Sequence, residues 1–204
     1  MTTFDHRRFS PACARNRQPI LDVLTPVFPE RAHLLEIASG TGEHGAFFAS
    51  RQPGWTWQPT DASDAAQQST SAWVDHMGLP NLRSPVILDV TSTDWPIGDV
   101  QGMFCANMIH ISPWNCTLGL LDGAPRLLRS GQHHVTYGPY KVNGHHTAPS
   151  NAAFDASLRS QDPSWGVRDL EVIEEEAQSR GLTLQERVQM PANNACLIFV
   201  RTPH

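Results

Sequence analysis

Between His33 and Ser50 the chain reads His-Leu-Leu-Glu-Ile-Ala-Ser-Gly-Thr-Gly-Glu-His-Gly-Ala-Phe-Phe-Ala-Ser. An apolar run (Leu34, Leu35, Ile37) meets Gly40, Gly42 and Gly45, and helix-forming residues follow. Glycine lets the backbone approach a ligand because no Cβ stands in the way. A strand, a glycine turn and a helix N-terminus together form the device by which a parallel sheet holds a nucleotide-like group. The pattern G-x-G-x-x-G fits nicotinamide, flavin and adenosylmethionine sites alike. Glu36, four residues before Gly40, narrows the choice. A carboxylate there repels a pyrophosphate and suits a cationic amino-acid tail, which points to S-adenosylmethionine. A tight turn in any α/β domain is the alternative.

Further along, single residues sit where such a ligand would need them. Asp61 lies about 20 residues past the glycines, where a carboxylate accepts both ribose hydroxyls. The alternative is that Asp61 or Ser63 caps the next helix. Asp89 closes the run Val86-Ile87-Leu88-Asp89-Val90, expected to be a buried parallel strand. There Asp89 would accept from the adenine amino group and the Val90 amide would donate to a ring nitrogen, although an aspartate at a strand end is also a turn former. Arg17 is within sequence reach of a ligand carboxylate, or is an exposed structural arginine. Asn107 through Trp114, Asn-Met-Ile-His-Ile-Ser-Pro-Trp, follows another strand. In it Asn107 is expected at the cofactor tail or the acceptor. His110 is the candidate base, because imidazole titrates near neutral pH, or else a structural histidine. Trp114 offers a face to a flat or cationic acceptor.

These residues need an α/β scaffold. The apolar runs predict strands at 34–37, 55–59, 86–90, 102–106, 133–140, 183–190 and 195–201. Helices are expected from Pro19, over 65–76, around Leu118–Leu128 and over 171–179. Pro19 suits a first turn, and Pro125 is expected to kink or split its helix. The long polar stretch 141–168, with a short helix near Phe154 and Leu158, is expected to form a lid over the acceptor. One domain accommodates all 204 residues, with 1–30 as an N-terminal segment and helix.

Composition bounds the function. A net charge of −5 and a charged fraction of 17% argue against a general nucleic-acid binder. Four scattered cysteines with no C-x-x-C pair read as reduced thiols, and no stretch approaches a membrane span or a signal core. A cytoplasmic protein is the expectation. The pairs His133-His134 and His145-His146 do not make a metal site. Neighbours on a strand face opposite ways, and no acidic or cysteine cluster completes a ligand set.

Four stretches carry a resemblance along 9–201: Phe9-Ser10-Pro11-Ala12 with Arg15 to Leu21; Leu35 to His44; Asn107 to Trp114; and Tyr137-Gly138-Pro139-Tyr140 through Ser150-Asn151, Phe154-Asp155, Leu158-Arg159 and Asp162 to Asp169. In these the chain resembles the methyltransferase-like 26 family, also known as domain of unknown function 938. The resemblance implies a Rossmann-like class I methyltransferase fold. Its seven-stranded, mostly parallel sheet would have the order 3-2-1-4-5-7-6, a C-terminal antiparallel hairpin and helices on both faces. It implies an adenosylmethionine site and supplies no acceptor.

Methyl transfer from a sulfonium is an in-line displacement that needs alignment rather than a covalent nucleophile. A small-molecule acceptor is expected, aligned by Asn107, Trp114, Tyr137, Tyr140, Asn151 and Trp165, with Phe154 and Arg168 as further candidate acceptor contacts from the lid stretch. Three other readings stay open. A nucleic-acid amino-methyltransferase draws on Ser112-Pro113-Trp114. A nicotinamide oxidoreductase is opposed by Glu36 and the terminal hairpin. A non-catalytic adenosylmethionine-binding module is the third. Oligomeric state is left undetermined.

Overall fold

The computed structural model describes residues 5–203. Residues 1–4, part of the polar stretch Met1 to Arg8 whose sequence predicts a loose segment, and residue 204 lie outside the described residues. The chain opens with α1 (Pro11–Val27), β1 (Ala32–Ile37), α2 (Glu43–Arg51), β2 (Trp55–Asp61) and α3 (Asp64–Met77). It continues through β3 (Val86–Ile87), β4 (Gly102–Ala106), α4 (Trp114–Leu127) and β5 (His133–Gly138). Then come the small strands β6 (Lys141–Val142) and β7 (His145–His146), α5 (Pro149–Gln161) and α6 (Leu170–Gln178). The long strands β8 (Leu182–Met190) and β9 (Asn194–Arg201) close the chain.

Seven strands form one sheet in the order β3-β2-β1-β4-β5-β9-β8, parallel from β3 to β5 and antiparallel at β9 and β8. The β6–β7 pair makes a separate hairpin, so it takes two numbers between β5 and the terminal pair. Without it, the order is the one expected.

Strand alternation divides the core into two. On β1, Leu34 packs with α1, α2, Trp55 and Trp57, whereas Leu35 and Ile37 pack with α4 and α6. On β4, Phe104 joins the first cluster, and Met103 and Cys105 join the second. Both faces are therefore covered, as a parallel sheet requires.

Several boundaries differ from the sequence expectation. Helix α1 starts at Pro11, where Ser10 Oγ accepts from the Cys13 N–H, and it runs through Pro19. The Ser-Pro pair is the cap and first-turn proline, a stronger start signal than Pro19. Strand β3 has only two residues and lies at the sheet edge, with Ile87 64% exposed. Its run stops because Asp89 Oδ1 accepts from the Thr91 N–H and hydroxyl, making a turn. Pro125 sits in the last turn of α4, which ends two residues later, so no kink or split is needed. The stretch 141–168 is the β6–β7 hairpin followed by the thirteen-residue α5, rather than a long loop.

His134 on β5 is fully buried, stacks on Phe199 at 6.3 Å, and has no hydrogen-bond partner at either ring nitrogen. Burial pulls its pKa down to about 4, so the folded protein holds it neutral. The unfolded chain binds that proton at a higher pH. This contribution to stability is present above the unfolded value and is lost as pH falls through the window from 6.5 to about 4. His134→Phe is expected to flatten the stability–pH curve there by one proton, about 1.4 kcal/mol per pH unit, in urea melts across that range.

Candidate functional site

The carboxyl ends of β1, β2 and β4 and the turn after β3 surround a cavity of about 460 Å³. Ligands bind beyond these strand ends in open α/β sheets, and the volume is in the range of a single small-molecule site. The turn after β1 forms one wall. Ala38 and Gly40 both have positive φ there (55° and 58°), and both line the cavity. A Cβ on Gly40 would meet nothing nearer than the Ala38 carbonyl oxygen at 4.0 Å, so the glycine leaves space that a ligand can fill. Gly42 does something else. Its Cβ would strike Thr70 at 2.8 Å, so it lets the turn pack on α3 and does not line the cavity.

Asp61, at the end of β2, also lines the cavity. Its Oδ2 accepts from the Gly40 N–H (2.9 Å) and its Oδ1 from the Ser63 N–H (2.9 Å). Each carboxylate oxygen retains a second acceptor site. Asp89 and Val90 line the same cavity, with Asp89 Oδ2 outside the Thr91 turn. Asn107 lines it from the end of β4 in a left-handed conformation (φ 62°), its N–H donating to the Tyr137 carbonyl.

Glu36 is a correction. Its side chain lies on the same face of β1 as Leu34, under α2, because a strand places alternate residues together. It is 2% exposed, accepts from Trp57 Nε1 at 2.8 Å and does not line the cavity. Burial raises its pKa to about 8, partly opposed by the Trp57 hydrogen bond, so it is a neutral acid at pH 7. The charge argument built on it therefore fails. Arg17 is also absent from the wall; its guanidinium stands 4.6 Å over the Phe47 ring.

His110 is a second correction. Its ring is fully buried and does not reach the cavity. Nδ1 accepts from the Arg168 N–H at 3.3 Å, and the ring packs on Tyr140 at 4.9 Å. Nε2 has no partner and faces Gly138, where a Cβ would approach it to 2.6 Å. Burial, then the Arg168 charge, pulls its pKa down to about 3. This histidine fastens the chain rather than taking protons from a substrate.

Three of the expected acceptor residues are engaged by bonds within the fold. Tyr140 is buried with its hydroxyl bonded to Thr136, and Asn151 donates to Thr147 Oγ1 and the Asn193 carbonyl. Arg168 donates to the carbonyls of Ile109, Ser112 and Ser164 and lies over Trp114 at 5.6 Å. None of Trp114, Tyr137, Tyr140, Asn151, Phe154, Trp165 and Arg168 lines the cavity. Arg168 acts on the wall from behind, its bonds holding the segment that supplies Met108, Ile111 and Ser112, and with Trp114 it lines a separate cavity.

The cover comes instead from the start of α1, through Ser10, Ala12, Cys13 and Asn16. Glu43 ties it down by accepting from the Ser10 N–H and the Thr41 hydroxyl. The Arg8 N–H donates to Ser69, and the Trp73 indole donates to the Arg8 carbonyl. His44 of α2 completes this side, and Cys116 of α4 lines the wall from the other face of the sheet, near Asp89. Sequence reasoning assigned none of these six a role, although Ser10-Pro11 and Gly42-Glu43-His44 lie in the stretches it singled out.

Residues 7–201 match the model of the family described as "Protein of unknown function (DUF938)". The chain belongs to the DUF938 family. Solved structures similar to this DUF938 chain include an O-methyltransferase family protein from Burkholderia thailandensis (TM-score 0.78, 17% identity, 94% of this chain and 57% of that one). Another is an O-methyltransferase family 2 protein from Planctomyces limnophilus in complex with apigenin (0.75, 16%, 94% and 60%). A third is human N-acetylserotonin methyltransferase in complex with adenosylmethionine (0.75, 12%, 94% and 53%). The DUF938 chain spans only 53–60% of the length of these proteins. The likeness is one of fold, the class I methyltransferase architecture.

Glu36→Gln tests the reassignment of that residue. A group whose folded pKa is raised contributes stability below its unfolded value, and loses it as pH rises through about 8. The amide keeps an acceptor for Trp57 and does not ionise. The variant is therefore expected to gain stability relative to the parent between pH 4.5 and about 8, read by urea melts.

Proposed function

We propose that this protein is an S-adenosylmethionine-dependent methyltransferase acting on a small-molecule acceptor. The observation that carries this reading is the cavity where Gly40, Asp61, Asp89, Val90 and Asn107 converge at the carboxyl edge of the sheet. The fit is chemical. The open acceptor sites on Asp61 suit a pair of ribose hydroxyls, and Asp89 Oδ2 with the Val90 backbone suits an adenine edge. Gly40 leaves room for the ligand beside its backbone.

When bound, the cofactor supplies an electrophilic methyl group on a sulfonium. The chain's own work is to bind, align and exclude water. Asp61 and Asp89 hold the nucleoside, and Asn107 presents its amide to the opposite end. Residues 10–16 of α1 cover the cavity, which keeps water from competing with the acceptor. No covalent nucleophile is required. The acidic net charge of −5 favours a small acceptor over a nucleic acid. The solved O-methyltransferase in complex with apigenin is a relative in fold with a small molecule bound. The likeness to the methyltransferase-like 26 family belongs to this proposal.

Calorimetry with adenosylmethionine and adenosylhomocysteine tests the reading. Both are expected to bind, and Asp89→Ala is expected to weaken each by about 10- to 100-fold, the loss of a hydrogen bond to a charged group. If neither nucleoside binds the parent protein, the reading is wrong.

A further inference from the structure

The cavity carries a second polar pair, on its other side. His44 stands in the first turn of α2 and Asn16 in α1, and both line the wall. His44 Nε2 lies 2.8 Å from Asn16 Oδ1. With that oxygen as acceptor, Nε2 carries the proton and Nδ1 keeps its lone pair. The ring is held flat on Phe48 at 5.5 Å and edge-on to Phe104 at 6.1 Å.

Phe104 belongs to β4, so this pair sits on the β4 side of β1, and Asp61 and Asp89 sit on the β2–β3 side. A ligand held by the two acids at its sugar and base therefore extends its reactive end toward His44. The nearby wall comprises Ser10, Ala12 and Cys13, none of them charged, and the Glu43 carboxylate behind it is taken up by the Ser10 N–H and the Thr41 hydroxyl. Titratable groups around the ring are Cys13 and Arg17 of α1, Glu43 beside it on α2 and, next to Asn16, Tyr137 of β5. Burial first, then the Arg17 charge, keeps the imidazole neutral down to about pH 4, while burial keeps the Cys13 thiol protonated. The volume of about 460 Å³ stands near the lower end of the range for one ligand, so little room remains beside a nucleoside cofactor.

We propose that His44, oriented by Asn16, binds a small uncharged acceptor through its O–H or S–H and takes up the proton released on methylation. This rests on the adenosylmethionine reading of the cavity. The acceptor's oxygen or sulfur lone pair forms the bond to the methyl carbon as the carbon–sulfur bond breaks. That electron pair stays on the cofactor sulfur. The acceptor proton passes to His44 Nδ1 and then to water.

The test uses the full chain, with phenol and 2-mercaptoethanol as uncharged probes and acetate and guanidinium as charged ones. Methyl transfer to an uncharged probe is expected, with an acid limb near pH 4 set by the free ring. His44→Phe is expected to lower that rate by about 10²- to 10⁴-fold and to abolish the limb. Asn16→Leu, which frees the tautomer but leaves the ring, is expected to lose less. Calorimetry supplies a readout apart from turnover. His44→Phe is expected to bind adenosylhomocysteine and 5′-methylthioadenosine, which lacks the amino-acid tail, as the parent does. In the parent, the ¹⁵N resonance of His44 Nδ1 is expected to move when phenol is added to the adenosylhomocysteine complex. This measurement decides the matter if the variant does not fold. Turnover of charged probes alone, or of none, overturns the proposal, as does an unmoved resonance. Weakened adenosylhomocysteine binding with unchanged methylthioadenosine binding also overturns it, because the ring then holds the tail. Failure of the parent to bind either nucleoside removes the cofactor reading itself, and this proposal with it.

Discussion

The parallel pairing of β1 with β2 on one side and β4 on the other is the constraint on which the structure depends. It brings the ends of three strands to one edge, where their backbones stop pairing and the chain must turn. Those turns supply Gly40, Asp61 and Asn107, and the turn after β3 adds Asp89. The same pairing fixes which way each β1 side chain points. Leu35 and Ile37 go to the α4–α6 core, and Leu34 and Glu36 to the α1–α2 core. A one-residue slip would exchange the two sets and bury Glu36 without Trp57. The buried acid is thus tied to the register that builds the cavity, though it does not touch it.

That geometry explains which parts of the site could be read from the sequence. Gly40, Asp61, Asp89, Val90 and Asn107 are local consequences of strand ends, and a strand end leaves an apolar run followed by glycine or a polar residue. Glu36 misled because its spacing from the glycines was read without its strand phase. Alternation alone, counted from Leu34, would have put it in the core with a hydrogen-bond partner. Asn16, Cys13 and His44 were harder to place. They meet only because α1 crosses the carboxyl edge, a tertiary fact with no periodic trace. The one local clue was the Ser10-Pro11 cap, which starts α1 early enough to reach there.

The two histidines read so differently for the same physical reason. His110 follows a strand end, as a catalytic residue should, yet its ring turns inward against Gly138 and Tyr140. A buried imidazole is tolerated as the neutral form, and the Arg168 N–H holds one nitrogen as an acceptor. His44 is also held neutral by burial, but it lines the cavity. Depressed basicity is common to both; access separates them. A motif can nominate a histidine, and only the direction of its ring decides whether the proton it carries matters to a ligand.

The stretch 141–168 shows how composition alone overstates mobility. Its polar residues suggest a loop free to close, but many of them are spent on one another. Asp155 accepts from the Val167 N–H at 2.6 Å and from Arg159 at 3.2 Å, with His146 at 3.4 Å and Lys141 at 3.7 Å. Burial alone would raise this carboxyl, yet the Val167 N–H and the neighbouring cations hold its pKa below the ordinary value. A carboxylate that draws together the hairpin, α5 and the segment before α6 makes that region a buttress. Through Gly166 and Arg168 the buttress grips His110, Ile109 and Ser112, and so fixes the wall from behind. The front of the cavity is closed differently, by the first turns of α1 leaning on Glu43 and Ser69. The Trp73 indole also donates to the Arg8 carbonyl and Phe9 packs edge-on against that ring, so the segment leading into α1 is pinned to α3.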